Sequence, residues 1–297
     1  MTAHATIAAN GQQVDRYGIG ASEIAAAVGI SSFRSPLSLW LEKTGRGEEF
    51  AGNEHTQWGQ MLEPLLRAWY AEKTQLAVLV PPASVFHPTL TWARCTPDGI
   101  ALGPDDKPLH LVQCKNVGRR QAWRWGEDVT DPNSITSEYL AQVNWEMFVT
   151  GYDRCDLIAS IGGSPPVIYE IHRDAQFEAE LVEAAAEFWQ CVTSGKPPRV
   201  DHSEDWTKYL AQQMKRSGSV APRSGKGDAL AVQLRDAYEM VKRAEENCNQ
   251  IKNEFRALLT EQGAEAVETG EGPIKWKKNV NGTPTFTVPR AWSKESR

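Results

Sequence analysis

The sequence predicts an α/β protein in which a mixed central sheet is flanked by helices, extended at the C-terminus by a long coiled-coil-like helix and a β-hairpin. Three observations carry this. Helical periodicity dominates residues 16–74, apolar runs broken by Pro and Gly take over at 76–117, and the two patterns alternate up to residue 196. Beyond a stretch rich in Pro, Ser, Gly and Lys, apolar residues recur at heptad spacing.

RYGIGASEIAAAVG (16–29) reads as a turn followed by a helix that Ser22 can cap and Gly29 ends. A second short helix opens at Ser35-Pro36 and stops near Gly45. Residues 46–55 are a polar, Gly-rich loop. TQWGQMLEPLLRAWYAEKT (56–74) is amphipathic, with Met61, Leu62, Leu65, Leu66 and Trp69 on one side. Broken strands follow at 76–88 and 90–102, then a short apolar strand at 110–117. Residues 135–151 are helical, 155–163 and 167–174 pair across Gly162-Gly163, and 174–196 is a helix that Gly195 and Pro197-Pro198 end. The expected organisation is a domain over 1–214 containing a last short helix at 205–214, a linker at 215–227 and an appendage over 228–297. In the appendage, Leu230, Leu234, Ala237, Val241, Ala244, Cys248, Ile251, Phe255 and Leu258 form the heptad stripe, and a hairpin turns at Asn281-Gly282.

Composition excludes several functions. The five cysteines are scattered without a CxxC pair, and the six histidines lack ligand spacing, which argues against zinc, an iron–sulfur cluster or a disulfide framework and fits a reducing cytoplasm. No apolar run is long enough for a membrane span, and the first residues do not resemble a secretory signal. A net charge of −6 argues against a surface coated in nucleic acid, yet a local basic channel beside metal-binding carboxylates is compatible with it.

The chemistry concentrates between Cys95 and Asn116. Asp98 follows a proline in Thr96-Pro97-Asp98-Gly99, which taken alone is also a good β-turn. Gln113 and Lys115 are one residue apart, hence on the same side of a strand and about 6.5–7 Å apart along it. Two adjacent strands would bring Asp98, Gln113 and Lys115 to one end of the sheet, and Glu63, at the margin of its helix's apolar side, can close the remaining side. Glu63 by itself reads equally as a solvated edge residue or a salt-bridge partner. Oxygen ligands at such a place suit Mg²⁺, and a neighbouring lysine can orient water and stabilise growing negative charge.

Five stretches, RYGIGASEIAAAVG, WGQMLEPLL, CTPDG, VQCK and SEYLAQVNWEMFVTG, resemble the phage lambda exonuclease family, the YqaJ-type viral recombinase nucleases of the PD-(D/E)xK superfamily. They occur in the family's order and at similar spacing, within about residues 14–200. The resemblance implies a restriction-endonuclease-like core and Mg²⁺-dependent 5′-to-3′ digestion of linear duplex DNA that leaves 3′ single-stranded tails, with Mn²⁺ able to substitute. It further implies a homotrimeric ring around DNA, a single-strand annealing partner, no membrane association, and a phage or prophage protein working in the bacterial cytoplasm. By position, the family's catalytic acids fall on Glu63 and Asp98, its lysine on Lys115 and its helix glutamine on Gln142, with Tyr139 one turn before. The metal ligands would be Asp98, the residue at 113, Glu63 and the Cys114 carbonyl. The 5′-phosphate pocket would draw on Arg16, Ser22 and Thr96, with Arg16 one residue out of register. Arg119, Arg120, Trp123, Arg124 and Trp125 would grip the DNA end; as plain sequence they read equally as a partly buried Trp cluster with solvated arginines.

Gln113 departs from the family, which has Glu there. An amide oxygen is a weaker ligand and carries no charge, so the expectation is an exonuclease crippled at this position. The rival readings are a DNA-end-binding recombination protein without turnover and a different PD-(D/E)xK nuclease.

Overall fold

The computed structural model describes residues 6–7, 13–14, 17–47, 52–214, 220–279, 281–289 and 292. The chain divides into two compact units, Met1–Lys215 and Arg216–Arg297.

The first unit is built on a five-stranded mixed sheet. Its strands are β1 (Ala77–Leu79), β2 (Gly99–Leu102), β3 (Pro108–Val117), β4 (Arg154–Ile161) and β5 (Val167–His172), side by side in that order. All neighbours are antiparallel except β3 and β4, which run parallel. A parallel pair needs a crossover, and the helical stretch at 137–150 provides it. The regions read as broken strands divide accordingly: the two-residue pieces Val85–Phe86 and Arg94–Cys95 pair with each other, outside the sheet.

Seven helices are described: α1 (Ile24–Ala27), α2 (Pro36–Lys43), α3 (Glu54–Thr74), α4 (Ser137–Thr150), α5 (Ala175–Ser194), α6 (Glu204–Gln213) and α7 (Gly225–Glu261). Strand alternation sorts β3 between two of them. Leu111 joins Val143 and Met147 of α4 in one core cluster, while Val112 and Cys114 join Leu66 and Tyr70 of α3 in another. A third cluster, around Trp40, Trp145, Phe188 and Trp206, binds α1, α2, α4, α5 and α6 together. Trp145 is anchored by its indole N–H, directed at the carbonyls of Ile19 and Arg94.

Two local expectations change. In α3, Met61 and Leu65 are 67% and 64% exposed; the buried face is Leu66 and Tyr70, which pack with Val112 and Cys114 of β3. Ser22 does not cap a helix. It lies inside a 3₁₀ turn, Ala21–Glu23, and the Gly20 N–H is satisfied by Glu23 Oε2 at 2.7 Å instead.

In the second unit α7 begins at Gly225, inside the stretch read as linker, with Ser224 accepting from the Gly227 N–H. Most of the heptad stripe is open: Leu230, Leu234, Val241 and Ile251 are exposed. The helix's C-terminal end is covered. Phe255 meets Phe286, and Leu259 and Ile274 are buried, over a small antiparallel sheet of β6 (Ala266–Val267), β7 (Ile274–Lys278) and β8 (Pro284–Thr287). The predicted hairpin is β7–β8, and β6 adds a strand to it.

Candidate active site

The β2–β3 ladder ends at Gly99 opposite Val112. The next N–H on that edge of β3, from Cys114, therefore lacks a backbone partner. Asp98, one residue before β2, accepts it through Oδ2 at 2.8 Å. A strand residue turns its N–H and C=O to the same side, so the Cys114 carbonyl also faces Asp98. On the other face of β3, Gln113 is buried and Lys115 half-buried, both toward α4. Lys115 Nζ donates to Gln142 Oε1 at 2.8 Å and lies 5.2 Å from the centre of the Tyr139 ring.

These groups line one cavity of about 1380 Å³. Its wall includes Asp98, Gln113, Cys114, Lys115, Tyr139 and Gln142. Glu63, Ser22, Thr96, Arg119 and Arg120 line it as well. Glu63 forms an ion pair with Arg67 one helical turn on, and Arg67 also donates to the Asp98 carbonyl at 3.2 Å. The Thr96 hydroxyl is paired with that of Ser84 at 2.7 Å. Arg16 lies outside the described residues.

Segment 119–125 splits. Arg119 and Arg120 are exposed at the cavity. Trp125 is buried against Tyr139 and Tyr169, so it is a core anchor rather than a surface grip. Trp123 is 51% exposed and Arg124 half-buried, and neither lines the cavity. The Arg124 guanidinium is held by Glu138, with contacts of 3.1 and 3.2 Å, and Glu138 also accepts from the Ser32 hydroxyl at 2.6 Å. Burial alone would raise the Glu138 carboxyl; the hydrogen bonds from Ser32 and Arg124 outweigh it and hold the group at about 2.

Sequence reasoning missed Glu146. This residue of α4 is fully buried, lines the cavity and accepts from Gln142 Nε2 at 3.0 Å. Its signal was available: an acid in the apolar run QVNWEMFV, four residues after Gln142 and so on the same helical face. Burial, then the nearby Asp98 charge, pushes the Glu146 carboxyl up to about 8. Burial likewise raises Asp98 to about 6, with Lys115 opposing and Glu63 adding to the shift. Two acids that resist ionisation in one cavity favour an arriving cation. Among the described residues no three His, Cys, Asp or Glu side chains cluster as a ready cage. Mg²⁺ needs only one or two carboxylates and keeps several waters. The Asp98 carboxylate, the partnerless buried Gln113 Oε1 and the Cys114 carbonyl form an all-oxygen set that fits such an ion.

Residues 12–153 match the YqaJ-like viral recombinase domain. The uncharacterized protein YqaJ of Bacillus subtilis (strain 168) is 26% identical over 252 residues, which cover 81% of this chain and 76% of that protein. The alkaline exonuclease LHK-Exo in complex with dAMP shares the fold, with a TM-score of 0.50 and 22% identity over 67% of this chain and 96% of that one. A second structure of that exonuclease, from Laribacter hongkongensis, gives 0.49 and 21%, over 66% and 95%. The chain is thus similar to the YqaJ-like viral recombinase domain over residues 12–153, and every residue lining the cavity falls inside the matched stretch.

Proposed function

We propose that the chain is a divalent-cation-dependent exonuclease that digests linear duplex DNA from the 5′ end and leaves 3′ single-stranded tails. The observation that carries this is the meeting of the Asp98 carboxylate, the Gln113 side chain and the Lys115 ammonium on one cavity wall, with Lys115 fixed by Gln142. Asp98, Gln113 and the Cys114 carbonyl would hold Mg²⁺ or Mn²⁺, with Glu63 beside them. When bound, the cation polarises the scissile phosphate and makes water more acidic. Lys115 orients the attacking water and stabilises the charge that grows on the phosphate. Gln142 and the Tyr139 ring keep the lysine in place. Arg119 and Arg120 meet the DNA backbone at the cavity edge, and Ser22 and Thr96, with Arg16, receive the 5′-phosphate. A nucleotide bound to an exonuclease of the same fold is in keeping with a DNA substrate. Assembly as a homotrimeric ring, an annealing-protein partner and action in the host cytoplasm belong to the same reading. Among the described residues no helix is long and apolar enough to cross a membrane.

The test is digestion of 5′-phosphorylated linear duplex by the full chain with Mg²⁺, beside covalently closed circles. The linear DNA should disappear and the circles survive, and Asp98→Asn and Lys115→Ala should each abolish turnover. Gln113, which brings no charge, favours a second reading: a DNA-end-binding protein without turnover. Tight, metal-independent binding to ends with no digestion, even by Gln113→Glu, would select it.

A further inference from the structure

Gln113 Oε1 and Glu146 Oε2 are both buried without a hydrogen-bond partner. Their residues are 3% and 0% exposed, and both line the cavity that holds Asp98. Burying a polar oxygen without a partner is costly, and most for a carboxylate, so two such atoms at one cavity mark a place where something else supplies positive charge. They arrive from different elements, Gln113 from the α4-facing side of β3 and Glu146 from α4 itself. The rest of Glu146 is already fixed: its Oε1 accepts from Gln142 Nε2, whose own oxygen takes Lys115 Nζ. One carboxylate oxygen is thus held in place and the other left for a ligand.

We infer that Glu146 is a ligand of the divalent cation, supplying from α4 the negative charge that Gln113 does not supply from β3. This rests on the nuclease reading of the cavity. The cation then takes carboxylates from Asp98 and Glu146, with Glu63 beside them and Gln113 as a neutral oxygen donor, and the amide at 113 is a relocation of charge rather than its loss. A hard cation tolerates this exchange, because it selects oxygen and net charge rather than a particular side chain.

The measurement is Mn²⁺ binding to the full chain, by electron paramagnetic resonance and calorimetry, for wild type, Asp98→Asn, Glu146→Gln, Gln113→Glu and Gln113→Glu/Glu146→Gln. Glu146→Gln keeps the shape and should weaken Mn²⁺ binding by about tenfold or more. Adding Gln113→Glu to it should restore most of that loss. Gln113→Glu alone leaves α4 intact and adds a further acid to the cavity, so it should lower the melting temperature without metal and enlarge the rise on adding Mn²⁺. Wild-type affinity in Glu146→Gln, with binding lost in Asp98→Asn, would overturn the assignment while leaving the nuclease reading standing. An unchanged metal-free melting temperature in Gln113→Glu would also count against it. A wild-type chain that neither binds Mn²⁺ nor cuts DNA would remove both.

Discussion

Lys115 Nζ donates to Gln142 Oε1 at 2.8 Å, joining the end of β3 to the inward face of α4. Lysine is otherwise a flexible point charge on a four-carbon stem. Gln142→Leu removes the acceptor and keeps the bulk. Turnover of linear duplex should fall by about 10–100-fold with little change in KM, since the loss is in positioning rather than binding. A large rise in KM with unchanged kcat would show that Gln142 serves DNA binding instead.

Asp98 carries two separable duties. Its carboxylate would be an anionic ligand in the proposed site, and its Oδ2 also takes the Cys114 N–H that the ladder leaves over. Asp98→Asn keeps an acceptor, so it should abolish activity while stability stays within about 1 kcal/mol of wild type. Asp98→Ala orphans the N–H and should cost about 1–3 kcal/mol besides. Urea titration of both variants separates the duties; equal stability would show that the hydrogen bond does not matter.

The metal-free protein should lose stability as pH rises from about 5 to 8. Burial holds the Asp98 and Glu146 carboxyls protonated up to about 6 and about 8, above their unfolded values. Through that range the unfolded chain gives up protons that the folded one keeps, so unfolding becomes easier as pH rises, by an amount on the order of a few kcal/mol. Below about pH 4 both states are protonated and this effect vanishes. Glu138 and Asp156, held at about 2 despite burial by hydrogen bonds from Ser32 and Arg124 and from His110, Arg154 and Tyr70, act below this window. His87, lowered by burial, works in the opposite direction within it. Comparison with Glu146→Gln isolates the acid: that variant should keep its melting temperature between pH 6 and 8 better than wild type. Parallel profiles for the two proteins would refute the expectation.

Arg124 is a structural clamp. Its guanidinium neutralises Glu138, itself 6% exposed, and ties the 119–125 segment to α4 and Ser32. Arg124→Ala leaves a buried carboxylate short of charge and should cost about 1–3 kcal/mol, tempered by the partial exposure of the arginine. DNA affinity should fall more for Arg119→Ala and Arg120→Ala, which should leave stability within about 0.5 kcal/mol. The opposite ranking, read from melting curves and DNA titrations, would return Arg124 to the DNA surface.

Asp98, Gln113 and Lys115 are legible in the chain because strand alternation and a Pro-Asp-Gly break are local signals. What sequence alone leaves out is which of several compatible partners each group takes in the fold. Ser22 reads as a cap until Glu23 is seen to reach the Gly20 N–H. Arg124 reads as a free cation until Glu138 is placed beside it. Met61 and Leu65 read as core because periodicity reports a stripe, not which part of it touches the sheet. Glu146 hides for the opposite reason: among apolar neighbours an acid looks like an irregularity, and only the packing of α4 against β3 turns it toward the cavity.

The amide of Gln142 has two unlike ends, its oxygen toward Lys115 and its nitrogen toward Glu146. Without this spacer the ammonium and the carboxylate would be drawn to each other and cancel. Held one group apart, the ammonium stays available to a substrate and the acid to a cation, and glutamate in the same place would set two acceptors against the acid. The residue works as an insulator whose polarity matters as much as its reach.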